Sequence, residues 1–143
     1  MKFCLFETLP TQKVKEEISS LHYSIFQQPL PWEVLQTKES PLIQIAEEDA
    51  CVVGYKIGYE EKRGRFYSWI GGVSPAYRGK GIASTLMRTQ HQWCKENGYT
   101  EIMTKTKNKW RNMLILNLKH GFDIIGTYTD HKGEPKLILS KSL

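Results

Sequence analysis

The spacing of apolar side chains changes several times along this chain, and each change marks a new element. A short opening strand, Met1–Glu7, comes first. Between Thr11 and Phe26 the apolar residues fall at Val14, Ile18, Leu21, Ile25 and Phe26, three or four apart for the most part, which predicts a helix. Pro29, Pro31 and Pro41 make Gln27–Pro41 a loop, with a short helical piece over Trp32–Gln36. The period then falls to two. Leu42–Ala46 reads as a strand and Glu47-Glu48-Asp49 as its turn. Beyond it Val53, Tyr55, Ile57 and Tyr59 share one face, opposite Val52, Gly54, Lys56 and Gly58. Glu60–Arg65 is a charged hairpin connection, and Phe66–Val73 is the next strand.

The second half alternates helix and strand. Ile82, Ala83, Leu86, Met87, Trp93 and Cys94 form one stripe of a helix over Ile82–Asn97, and Asn97-Gly98 supplies its left-handed stop. Thr100–Thr106 is a strand. A second helix begins at Asn108 or Arg111 and ends at His120, before Gly121. Phe122–Tyr128 is a strand, Asp130–Pro135 a turn and Lys136–Ser140 the last strand. The order β-α-β-β-β-α-β-α-β-β is an antiparallel meander feeding into crossovers. It predicts an α/β (α+β) fold with a mixed, mostly antiparallel central sheet flanked by helices.

Composition narrows the class. At 143 residues with no repeat or low-complexity tract, the chain reads as one domain, 1–143. Four Trp, seven Tyr and five Phe supply enough apolar area to exclude disorder. No apolar run approaches membrane-spanning length, and Met1–Pro10 lacks the pattern of a secretory signal. Cys4, Cys51 and Cys94 are odd in number and far apart, which fits free thiols and a cytoplasmic location. The formal charge is +5, from 20 Lys+Arg against 15 Asp+Glu. That favours anions without choosing one.

The chemistry concentrates in Gly71–Ser84, G-G-V-S-P-A-Y-R-G-K-G-I-A-S. A strand ends at Val73, Pro75 stops further pairing, and a glycine-rich turn enters a helix directly. Gly79 and Gly81 let successive N–H groups converge at the positive helix end, which makes a site for a phosphate-like group, with Arg78 and Lys80 beside it. The same glycines would also serve a plain turn and helix entry. A dinucleotide fingerprint fits the spacing of Gly79, Gly81 and Ser84, but four predicted strands precede the turn, and Glu101 begins a strand instead of ending one. A Walker P-loop is absent.

Arg78-x-x-Gly81-x-Ala83 after Val73-Ser74-Pro75 resembles the acetyl-CoA pyrophosphate loop of the GNAT superfamily of N-acetyltransferases. Asn112-Met113 through Asn117-Leu118-Lys119-His120-Gly121-Phe122 resembles that family's second cofactor element, a helix closing in Gly-Phe. The resemblance implies that Gly71, Gly72 and Val73 offer main-chain groups to pantetheine and the thioester. It implies that Gly79, Lys80, Gly81, Ile82, Ala83 and Ser84 hold the pyrophosphate, and that strands Phe66–Val73 and Thr100–Thr106 splay to admit the cofactor. Asn108 and Asn112 are candidates for polar cofactor contacts, or for capping their helix. The family's usual tyrosine acid, five residues before the Phe of Gly-Phe, is here Asn117, whose amide can donate a hydrogen bond but not a proton at neutral pH.

No general base stands out. The strand Phe66–Val73 offers only Tyr67, and Glu33, Glu47, Glu60 and His22 are acceptors elsewhere; water relaying the proton is an equal alternative. Phe26, Tyr55, Tyr67 and Trp69, with Glu33, are candidates for the acceptor pocket, though aromatics beside strands also build cores. His91 and Cys94 lie one helical turn apart without a second ligand pair, so no metal is expected. Lys105–Arg111 is basic around Trp110 and suits a solvated turn, a 3′-phosphate contact or nucleic acid.

The resulting expectation is a cytoplasmic N-acetyltransferase using acetyl-CoA on a small-molecule or peptide amine, with no nucleic-acid or membrane partner. Its alternatives are a non-catalytic acyl-CoA-binding module and a small nucleic-acid-binding domain. The terminal strand, if exposed over Lys136–Leu143, offers an edge for a homodimer. Charge sharpens the first reading. Residues 78–119 hold nine Lys+Arg against two acids, a net +7, while the remainder is −2.

Overall fold

The computed structural model describes residues 1–143. Strand β1 (Lys2–Phe6) leads to helix α1 (Gln12–Phe26), whose first turn is capped by the Thr11 hydroxyl accepting from the Val14 N–H at 3.4 Å. The helix ends where Gln27 turns left-handed, at φ 55°, two residues before Pro29. The predicted short piece is α2 (Trp32–Gln36). Then come β2 (Glu39–Glu48), β3 (Cys51–Lys62), β4 (Arg65–Val73), α3 (Ile82–Glu96), β5 (Glu101–Lys107), α4 (Arg111–Lys119), β6 (Asp123–Thr129) and β7 (Pro135–Ser142).

All seven strands form one sheet in the order β1-β2-β3-β4-β5-β7-β6. Neighbours are antiparallel except β4 and β5, which the α3 crossover makes parallel. Helices α1 and α2 cover one face, burying Ile18, Leu21, Leu30 and Leu35 against Ile43, Ile45, Tyr55, Ile57 and Tyr59. Helices α3 and α4 cover the other, over Leu42, Phe66, Ile102 and Leu139. No helix is long and apolar enough to cross a membrane, and the three cysteines are free.

Three expectations need correction. Strand β2 begins before Pro41, because a register shift between Glu39 and Leu42 leaves the proline out of the regular ladder. Val53 does not share the face of Tyr55 and Ile57. A second shift, between Ala46 and Glu47, adds Val53 as an extra residue and turns it towards Ile82 and Leu86 of α3. The terminal strand is not an edge: β7 lies inside the sheet, paired with β5 and with β6, so the edges are β1 and β6.

Candidate functional site

Strands β4 and β5 part company within the sheet. They pair over four residues only, from Arg65 with Glu101 to Ser68 with Thr104. Two local features coincide at the parting. Trp69 has no partner on β3, since Gly58 faces Ser68 and Ile57 faces Ile70, which makes a bulge that re-aims the rest of β4. The Thr104 hydroxyl donates to the Ser68 carbonyl at 2.9 Å and closes the ladder there. β5 pairs with β7 along its whole length, Glu101–Lys107, but with β4 only as far as Thr104, which leaves the β5-facing side of residues 69–73 free along a wedge. The expected splay is present.

At the end of that free edge lies the glycine turn. The Ser74 N–H donates to the Val53 carbonyl at 2.8 Å, a 3-10 turn covers Pro75–Tyr77, and Gly79 and Gly81 take φ of 77° and 79°. A Cβ on either glycine would meet nothing within 4 Å, so these positions need glycine for backbone shape and not for room. The first helical bond runs from the Thr85 N–H to the Gly81 carbonyl at 3.0 Å. The six N–H groups of residues 79–84 donate to no acceptor within the protein. Six consecutive donors at a helix N-terminus suit the diphosphate of CoA.

The side chains of this loop divide their tasks. Arg78 Nε donates to the Val73 carbonyl at 3.1 Å, so the guanidinium braces the loop against the strand end. Lys80 Nζ sits 5.0 Å over the Tyr77 ring. Ile82 is buried against Gly54 and Ala83 packs beside it, leaving their backbone for a ligand. Ser84 Oγ is 2.6 Å from His120 Nε2, which ties the start of α3 to the end of α4.

Along the wedge, Gly72 lets α1 approach: a Cβ there would stand 2.7 Å from Ile25 Cδ1. Phe26 lies between His22, at 4.9 Å, and Trp110, at 5.5 Å, so helices from opposite faces meet at the wide end of the wedge. Trp110, not Asn108 or Asn112, is the α4 N-cap residue, and both asparagines are exposed. Asn117 is the sole buried residue of α4. Tyr67 and Trp69 gather around Tyr59 at 5.5 and 5.9 Å on the α1/α2 side. Glu33 stands apart from them, exposed on α2.

The base candidates fare differently. Burial, reinforced by Tyr59, Tyr128 and Glu61, pushes the Tyr67 hydroxyl well above the usual phenol range, so it stays protonated and acts as a donor. His22 is buried, hydrogen-bonded to the Tyr55 hydroxyl, and held below the usual imidazole range by desolvation. Glu60 accepts from the Tyr99 hydroxyl at 2.9 Å, and Glu47 pairs with Lys2 in the β1–β2 ladder.

A polar cluster lies between the sheet and the α3/α4 pair, and His91 alone of its members stood out in the sequence, beside Cys94 as a metal ligand. Gln90 and His91 are buried, and so is Gln44, whose Nε2 donates to the Leu86 carbonyl. His91 Nδ1 is 3.0 Å from Lys141 Nζ, while both polar side-chain atoms of Gln90 and His91 Nε2 are buried without a partner. Burial, aided by Lys141, Lys56 and His120, lowers His91 to about 3. Lys56 is set deep with partial solvent access, and burial lowers it to about 8. The available signal was helical phase, since 90 and 91 fall on the stripe of 86, 87 and 94.

The geometry has close counterparts among known proteins. One chain of the NatC complex bound to Gag peptide and CoA superposes with a TM-score of 0.82 at 18% identity, covering 100% of this chain and 99% of that one. The aminoglycoside 6′-N-acetyltransferase complexed with coenzyme A gives 0.81 at 12% identity, over 99% and 97%. At such identities the likeness shows a shared fold. In sequence, N-acetyltransferase 8B of Rattus norvegicus is 38% identical over 56 residues, which span 39% of this chain and 25% of that protein. The model of the Acetyltransferase (GNAT) family matches residues 11–122. The chain belongs to the GNAT acetyltransferase family.

Proposed function

We propose that this protein transfers the acetyl group of acetyl-CoA directly to a primary amine on a small molecule or peptide. The observation that carries the reading is the continuity of the six free N–H groups at 79–84 with the free edge of β4. A diphosphate held at the loop leads the pantetheine arm along residues 73, 72 and 71 into the wedge. Acetyl-CoA supplies an activated carbonyl there. The chain's own part is to aim it, with backbone donors of the free β4 edge near Gly71 turned towards the carbonyl oxygen, where negative charge develops.

The acceptor approaches from the α1/α2 side, over Tyr67 and Trp69 and past Phe26. The uneven charge supports a cationic amine, since the part of the chain outside residues 78–119 carries −2. The aminoglycoside and peptide complexes among the structural neighbours support amines of both sizes. Tyr67, beside the bulge, stays protonated, so the amine proton leaves through water. Free thiols support a reducing, cytoplasmic setting. The test is thiol release from acetyl-CoA across a panel of polyamines, aminoglycosides and peptide N-termini. Turnover on any amine supports the assignment. Silence across the panel with saturable CoA binding replaces it with a non-catalytic acyl-CoA-binding module.

A further inference from the structure

The wedge has a floor that β4 does not supply. Below the bulge at Trp69, residues 71 and 73 face α3 and α4, and residue 71 is glycine. Lys56, paired with Gly71 across the β3–β4 ladder, covers that space: a Cβ on Gly71 would stand 3.5 Å from Lys56 Cγ. The lysine is near enough to His91 of α3 and His120 of α4 to depress both imidazoles. His120 shares the inward side of α4 with Asn117, three residues earlier. Lys56 therefore stands beside Gly71 on the face of the sheet that α3 and α4 cover, within electrostatic reach of His120, one helical turn from the Asn117 position where a tyrosine acid is missing.

The titratable groups it acts on are His91 of α3 and His120 at the end of α4, which also feel Lys141 of β7 and, for His120, Arg88 of α3. None is an acid, and none of the chain's five ion pairs includes Lys56. A deep ammonium without a carboxylate is costly unless an anion comes to it. A thiolate released at Gly71 is such an anion.

We propose that Lys56 is the proton donor and electrostatic partner of the departing CoA thiolate. This rests on the acetyl-CoA reading above. The acceptor nitrogen bonds to the acetyl carbon as the carbon–sulfur bond breaks, with its electron pair going to sulfur. Lys56 passes one ammonium proton to that sulfur, leaving a free thiol and a neutral amine. The proton shed by the acceptor goes to solvent, and solvent recharges Lys56. Burial lowers Lys56 to about 8, close to an ordinary thiol near about 8.5, so the transfer joins groups of matched acidity. Neutral His91 adds no competing charge at that pH.

The test reads the bound thiol and not turnover. The ultraviolet absorbance of the CoA thiolate, bound to the full chain, is followed against pH for wild type, Lys56→Met and Lys56→Arg. Desulfo-CoA, which has no thiol, serves as the binding control. The bound thiol should titrate at least about one pH unit below free CoA in wild type and in Lys56→Arg. It should rise by about one unit, tenfold in acidity, in Lys56→Met, while desulfo-CoA binds all three alike. Equal thiol values in wild type and Lys56→Met, with desulfo-CoA bound, overturn the Lys56 assignment alone. Failure of desulfo-CoA to bind folded wild type overturns the cofactor reading beneath it. Should Lys56→Met not fold, a wild-type bound thiol no more acidic than free CoA overturns the assignment by itself.

Discussion

Replacing Lys56 with Met should stabilise the protein, and more at neutral than at alkaline pH. Burial lowers the ammonium from 10.5 to about 8, a gap worth about 3 kcal/mol at roughly 1.4 kcal/mol per pH unit. The folded-state value lies below the unfolded one, so the unfolded chain holds the proton more tightly. The destabilisation is full below pH 8, fades as pH rises through 8 towards 10.5, and is gone above that. Met keeps an unbranched apolar stem against Gly71, so the packing changes little. The variant should exceed wild type by about 3 kcal/mol at pH 7 and by only about 1 kcal/mol at pH 10. Urea denaturation of both proteins at the two pH values, with equal m-values, measures this. A variant no more stable than wild type at pH 7, or a difference that ignores pH, would refute the reasoning. A charge held at such a cost suits a site whose chemistry needs it.

Gly58→Ala should lower stability by about 2 kcal/mol or more, because its Cβ would stand 2.4 Å from Phe66 Cε2 and 2.6 Å from the Tyr67 carbonyl oxygen. Thermal denaturation reads this out, and an unchanged Tm contradicts it. His91, lowered to about 3 mainly by burial, should show ring resonances that do not titrate between about pH 8 and pH 4. Since the unfolded imidazole titrates at 6.5, the neutral ring stabilises the fold above that value, and the stability drains away as pH falls towards 3. An NMR midpoint near 6.5 for His91 would show that the ring is not sealed in.

Much of the fold was legible because period and punctuation are local. The 3.6-residue stripes placed α1 and α3, the alternation placed β3 and β4, and Gly79-Lys80-Gly81 before an apolar helix marked the anion loop. What escaped depends on pairing. Nothing local says that β7 inserts between β5 and β6, because both neighbours offer equivalent backbone edges. Nor does alternation register the extra residue at Val53 or at Trp69, each of which flips the faces beyond it. Lys56 read as the polar partner in an alternating strand. Its importance comes from Gly71 on the next strand and from α3 and α4 above it, which only the assembled sheet brings together. Arg78 read as mobile charge beside the loop, whereas its Nε is bound to the Val73 carbonyl and anchors the side chain there.

The central claim is that residues 79–84 hold the diphosphate of an acyl-CoA, and calorimetric titration of CoA into wild type and Gly81→Glu tests it most directly. Gly81 has φ 79° and open space around its Cβ position, so the substitution puts a carboxylate among the six donors without a steric clash. The added backbone strain is about 1 kcal/mol, small enough for the fold to persist. Wild type should bind CoA saturably at one site, and the folded variant should bind none. Absence of binding to folded wild type, or equal binding by Gly81→Glu, would contradict the account.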